Sequence, residues 1–186
     1  MEDNKIIELY FKRIESAITE TSAKYGHFLH TISMNILQNH EDAEECVNDT
    51  YLRTWNSIPP ARPQLLKAYL GAIIRNLSLD CYKRRFAGKR VSGEFSLLLS
   101  ELEDCIPASS TPEKELENKE IAVQISNFLK NLPLEKRLIF LRRYYYCDDI
   151  KTLSARFGYS ESKIKSTLFS IRKKLKIHLE KEEIYL

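Results

Sequence analysis

Eight residues of one segment, Ser162, Lys163, Lys165, Ser166, Phe169, Ser170, Arg172 and Lys173, gather cations, hydroxyls and a single aromatic ring. Such a set recognises rather than reacts: lysine and arginine neutralise phosphates, while hydroxyls and an apolar ring meet base edges. A second set, Arg75, Asn76, Tyr82, Lys83, Arg84 and Arg85, again mixes cations with an amide and a ring. That mixture suits tracking a phosphate backbone while a base stacks. A third set has the opposite sign. Glu45, Asn48, Asp49 and Leu52 lie on an outer face with Glu41, Asp42 and Arg53. A leucine amid acids is odd as solvated surface and natural in a partner site.

Catalysis finds no support. Asp80 is the lone acid of residues 61–90, and neither a Gly-rich phosphate loop nor a His-Glu-x-x-His motif occurs. No cofactor or metal is expected. Cys46, Cys81, Cys105 and Cys147 are widely spaced, and His27 and His30 have no nearby cysteine or carboxylate partner, so they read as structural. The cysteines read as buried thiols in a reducing cytoplasm.

These sets need helices to present them. The C-terminal part reads as a helix-turn-helix from Leu132 to Leu179. Pro133 opens a segment with apolar Leu134, Leu138, Ile139 and Leu141, a short helix covers Ile150 to Phe157, and Gly158 supplies a tight turn. Ser160 is the N-cap of the next helix, whose Ile164, Leu168, Ile171 and Leu175 form one buried stripe. The second helix of such a unit presents its outer face to a major groove. Its plainer reading is an αα-hairpin with a solvated lysine face.

The N-terminal half reads as helices over Ile6–Ile18, Tyr25–Leu37 and Glu41–Asn56. Pro59, Pro60 and Pro63 then impose a break, and a long helix follows from Leu65 to about Arg85. The expected buried stripe is Ala43, Val47, Tyr51 and Trp55 in the third helix. In the fourth it is Leu66, Tyr69, Leu70, Ile73, Ile74, Leu77 and Cys81, with Lys67, Gly71, Arg75, Ser78, Tyr82 and Arg85 facing away. The scarcity of Gly and Pro and the absence of strand alternation predict an all-α protein of two small helical domains. Pro107–Pro112 is the clearest linker, which places domains at 1–90 and 119–186 around an acidic linker at 91–118.

Charge is segregated within a net +3: residues 1–60 carry −5, 61–90 carry +7, 91–120 carry −6 and 121–186 carry +7. Two basic blocks flanking an acidic one suggest two nucleic-acid contacts joined by a segment that avoids phosphates. No apolar run reaches the roughly 20 residues of a membrane span, and the acidic start is no signal peptide, so a cytoplasmic protein without membrane insertion is expected.

The stretches DAEECVNDTYLRTW, LGAIIRNLSLDCYKRR, LPLEKRLIFLRRYYY and SESKIKSTLFSIRKKL, in this order around an acidic linker, resemble a bacterial RNA polymerase sigma factor. The resemblance is to the extracytoplasmic-function (ECF) branch of the sigma-70-type family, which keeps regions two and four. It implies that residues 1–90 dock on the clamp coiled coil of core RNA polymerase and open the promoter −10 element. It also implies that residues 119–186 bind the −35 element as duplex DNA, and that the linker mimics nucleic acid in the RNA-exit path.

Residue by residue, the family's clamp-binding Asp-Ala-Glu-Asp-Leu-Val-Gln-Glu/Asp has Asn48 in place of Gln and keeps the acid as Asp49. Its Arg-Asn-Leu-x-x-Asp signature is Arg75, Asn76, Leu77 and Asp80, followed by Lys83, Arg84 and Arg85. Lys165, Ser166 and Phe169 fall where the family touches the −35 element, whereas Ser170 stands where an arginine is frequent. Residues 56–63, where the family captures a flipped base, are proline-rich, and no base preference carries over. An anti-sigma factor is a partner common in the family. The alternative is a helix-turn-helix repressor or activator acting without polymerase docking; it would need no acidic Glu41–Asp49 face.

Overall fold

The computed structural model describes residues 1–86, residue 101 and residues 115–182. Every element among the described residues is an α-helix. They are α1 (Asp3–Phe11), α2 (Ser16–Leu37), α3 (His40–Ser57), α4 (Leu66–Phe86), α5 (Glu115–Lys130), α6 (Leu134–Tyr144), α7 (Ile150–Phe157) and α8 (Glu161–Lys181). The chain divides into two compact units, Met1–Val91 and Ser92–Leu186. The linker expected at Pro107–Pro112, Cys105 and most of residues 91–118 lie outside the described residues. Helix α5 begins at Glu115, inside the stretch expected as linker, because Glu115-Leu-Glu is built of good helix formers.

In the first unit α2, α3 and α4 pack on one another, and α1 covers α2. The core is Ile6, Ile7 and Tyr10 from α1, Leu29, Ile32 and Ile36 from α2, Ala43 and Val47 from α3, and Leu66, Leu70 and Ile74 from α4. The single helix expected over Ile6–Ile18 is broken. Arg13 adopts φ 55°, and the Ile14 N–H bonds the Leu9 carbonyl while the Arg13 N–H bonds that of Tyr10, the pairing of a Schellman stop. A non-glycine residue there costs about 1–2 kcal/mol. It is offset because Arg13 Nη1 donates to the Trp55 carbonyl at 2.5 Å and the guanidinium lies 5.3 Å from the Trp55 ring centre. No Gly or Pro marks this stop, and Ile14 is left 42% exposed.

The buried face of α3 is Ala43, Cys46, Val47, Thr50 and Thr54, so Tyr51 and Trp55 are half-buried at its margin rather than in its stripe. Tyr51 sits close over Gly26 of α2, where a Cβ would come within 3.3 Å of its hydroxyl. Threonine fits the interior because Thr50 and Thr54 donate to the carbonyls of Cys46 and Thr50. The outward face of α4 is also rotated from expectation. Ser78 is fully buried, sharing a 2.8 Å hydrogen bond with Ser33 of α2, and Gly71, two turns earlier on the same helix, is buried as well. Lys67 and Arg85 face solvent as expected, and Ala72, Asn76, Asp80, Lys83 and Arg84 are exposed with them. Cys46 and Cys147 are buried, while Cys81 is only half-buried.

In the second unit α8 is the central helix, packed against α5, α6 and α7. Ile164, Leu168, Ile171, Leu175 and Leu179 make its buried stripe. Helix α6 departs from expectation: Ile139, Phe140, Arg143 and Tyr144 are buried, whereas Leu134 and Leu138 are 66% and 42% exposed. The buried Arg143 Nη1 donates to the Asp148 carbonyl at 3.1 Å, and Arg142 pairs with the Asp148 carboxylate at 2.6 Å. Two arginines thus brace the α6–α7 corner.

Asp149 caps α7, its carboxylate accepting the Thr152 N–H at 2.6 Å. Burial opposes ionisation of that carboxyl, but the Thr152 donors and the charges of Arg143 and Lys151 outweigh it and hold the pKa below its ordinary 3.8. The cap's contribution is therefore complete above pH 3.8 and is lost as pH falls through the depressed folded value. Asp149→Ala is expected to cost about 0.5–2 kcal/mol at neutral pH. Asp149→Asn should keep the neutral-pH stability and lose this part of the acid sensitivity, which thermal melts across pH 2–7 measure.

Candidate nucleic-acid interface

The presentation of α8 is built locally. Gly158, at φ 68°, closes α7, and Ser160 caps α8 by accepting the Lys163 N–H at 3.2 Å. Between them Tyr159 is anchored twice: its carbonyl accepts from Ser154 Oγ at 2.5 Å and its hydroxyl donates to Glu135 at 3.0 Å. That carboxylate pushes the Tyr159 phenol above its ordinary value, so it stays a donor. The start of α8 is consequently held in one orientation, with Ser162, Lys163, Lys165, Ser166, Phe169, Ser170 and Lys173 all exposed. Phe169 is 62% exposed, a large apolar ring standing in solvent among cations. Lys165 approaches Glu161 only to 4.0 Å, a surface pair worth about 0.3–0.5 kcal/mol and readily exchanged for a phosphate.

Arg172 departs from the expected set. It is drawn inward, Nη1 donating to Tyr144 OH at 2.6 Å and lying 3.4 Å from the Glu101 carboxylate. Two hollows flank the exposed ridge. One, of about 610 Å³, lies between Glu101, Ser162, Lys165, Ser166, Phe169 and Arg172. The other, of about 390 Å³, lies toward α6 and includes Lys136, Tyr159, Lys163, Ser170 and Lys174. Lys136, Tyr159 and Lys174 were not anticipated; Lys174 neighbours the predicted cations in sequence, but Lys136 reaches the hollow only through the packing of α6.

On α4, Asn76, Lys83, Arg84 and Arg85 are exposed, while Arg75 and Tyr82 are half-buried. Burial raises the Tyr82 phenol above its ordinary value. Arg85 forms an ion pair with Asp42 of α3, which ties the basic end of α4 to the start of the acidic helix. Lys67 lies 4.9 Å from the Phe28 ring centre. The preceding loop is anchored by fully buried Ile58, and Arg62 pairs with Glu8 while covering the Phe11 ring at 4.9 Å.

On α3, Asn39 caps the N-terminus by accepting the Asp42 N–H at 2.9 Å, and Glu41 and Asp42 complement the helix dipole. Glu45, Asn48, Asp49 and Leu52 are all exposed and, at spacings of three and four, line one face. Leu52 is 57% exposed at its end. Among the described residues no three His, Cys, Asp or Glu side chains are placed to hold a metal ion, and no helix is long and apolar enough to cross a membrane.

No curated protein matches the chain. Residues 22–87, from early α2 to the end of α4, match the family model Sigma-70 region 2. The helices that carry the acidic face and the first basic face thus lie within a segment similar to sigma-70 region 2.

Proposed function

We propose that the chain is an ECF-type sigma factor that directs core RNA polymerase to specific promoters and aids their opening. The observation that carries this reading is the Glu45–Asn48–Asp49–Leu52 face, with Leu52 57% exposed, inside the segment matching Sigma-70 region 2. Acids around an exposed leucine suit docking on a basic, partly apolar partner, here core polymerase. Asn76, Tyr82, Lys83, Arg84, Arg75 and Arg85 then attend the −10 element. Unpaired bases stacked there repay an unstacking cost of a few kcal/mol each.

The second unit acts as region 4, a helix-turn-helix of α7 and α8 that reads the −35 element. Lys163, Lys165 and Lys173 position by phosphate contact, and Ser162, Ser166, Phe169 and Ser170 face base edges. The protein supplies address and strand opening, the polymerase supplies the chemistry, and the protein works in the cytoplasm, where an anti-sigma factor is a further partner.

Incubation of the full chain with core polymerase, followed by size exclusion and run-off transcription on a genomic promoter library, tests the reading. A stoichiometric complex that initiates at a restricted promoter set is the expected result. A chain that binds duplex DNA but never core polymerase would instead be a helix-turn-helix repressor or activator.

A further inference from the structure

One oxygen of Glu101 gathers three donors. Tyr144 OH donates to Oε2 at 2.9 Å, Arg143 Nε lies 3.4 Å from it, and Arg172 Nη1 lies 3.4 Å from it. Two guanidinium groups and a hydroxyl around one anionic oxygen form a donor set that serves phosphate as well as carboxylate. Arg172 is the element that links this site to the exposed ridge. It lies on α8 three residues beyond Phe169, and the hollow it shares with Glu101 is also walled by Ser162, Lys165, Ser166 and Phe169.

We propose that Glu101 occupies a nucleic-acid phosphate site on the second unit, so that this acidic residue and duplex DNA compete for one basic face. The inference rests on the reading of α8 as the duplex-facing helix. While Glu101 is seated, Arg172 Nη1 is engaged by Tyr144 and Glu101, and a negative charge stands at the wall of the hollow a phosphate must approach. With Glu101 withdrawn, Arg172 and the Tyr144 hydroxyl are left around a vacated anion position floored by Arg143, which is 1% exposed. Tyr144 remains a donor, since burial first and the Glu101 carboxylate second raise its phenol far above the ordinary value. The surrounding sequence supplies the matching charge, net −6 over residues 91–120. Duplex binding by the protein with Glu101 seated is thereby restrained.

The full-length Glu101→Gln variant, titrated by anisotropy into a short fluorescein-labelled DNA duplex at several KCl concentrations, tests this. Expected is binding about three- to tenfold tighter than wild type at low salt, with a salt slope steeper by about one phosphate contact. Glu101→Gln combined with Arg172→Ala should lose that gain. Should Glu101→Gln melt early, Glu101→Asp keeps the charge one methylene short of Arg172 and is expected to tighten binding in the same direction. A natively folded variant that binds no tighter than wild type overturns the proposal and leaves Glu101 a structural ion-pair partner. Lys165→Ala/Phe169→Ala separates the two levels. If that double variant weakens duplex binding while the Glu101 variants leave it unchanged, only the competition falls. If it leaves binding unchanged, the duplex face itself is misplaced and both fall.

Discussion

Asp49→Lys is expected to abolish co-elution with core polymerase and all promoter-specific initiation while leaving the melting temperature of the protein unchanged. Asp49 is exposed in the middle of α3, off the Ala43–Cys46–Val47–Thr50–Thr54 interior, and exposed substitutions of this kind stay within about 0.5 kcal/mol. On the helix the swap gains an i,i+4 pair with Glu45 and sets a like charge against Arg53, two effects of about 0.2–0.5 kcal/mol that offset each other. At a docking surface of complementary charge the same reversal leaves an unpaired like charge, which costs several kcal/mol. Leu52→Ala should weaken the complex as well, by removing apolar area at the end of the same face. Both variants should keep the duplex affinity of the wild-type chain, because α8 is untouched. A folded Asp49→Lys protein that still elutes with core polymerase and still initiates would place the docking face elsewhere.

Leu168→Ala and Phe169→Ala are adjacent substitutions with opposite expected outcomes. Leu168 is 1% exposed and Phe169 62% exposed. Truncating a buried leucine removes its transfer free energy and leaves a cavity, together about 2–5 kcal/mol. Chemical denaturation of Leu168→Ala should show that loss. Any fall in duplex affinity should then follow the folded fraction. Phe169→Ala removes no core contact and should melt within about 0.5 kcal/mol of wild type. It should weaken binding to a cognate −35 duplex by about 1–3 kcal/mol, the scale of one lost base contact. Lys165→Ala belongs with Phe169→Ala, with a shallower salt dependence as its mark. A Phe169→Ala protein with unchanged transcription from a cognate promoter would remove that residue from the interface.

What was legible from the residues alone is what neighbouring residues satisfy among themselves. The turn at Gly158, the Ser160 cap, and the Ile164–Leu168–Ile171–Leu175 stripe depend on backbone groups and spacings within one or two helical turns. The exposure of Lys165, Ser166 and Phe169 follows from that stripe directly. The Glu45–Asn48–Asp49–Leu52 face was legible for the same reason.

The tertiary structure decided the positions where a polar group finds its partner on another element. Ser78 reads as surface in a helical pattern and is buried because Ser33 of α2 takes its hydroxyl. Arg13 halts α1 without glycine because the Trp55 carbonyl and ring receive its side chain. Arg172, one helical step from the exposed cations, is drawn inward by Tyr144 and Glu101. Arg143 takes an interior place on α6 because Asp148 and Glu101 satisfy it, while Leu134 and Leu138 remain outside. Periodicity ranks a residue by its own polarity. Burial is settled by whether a distant donor or acceptor replaces the water it gives up.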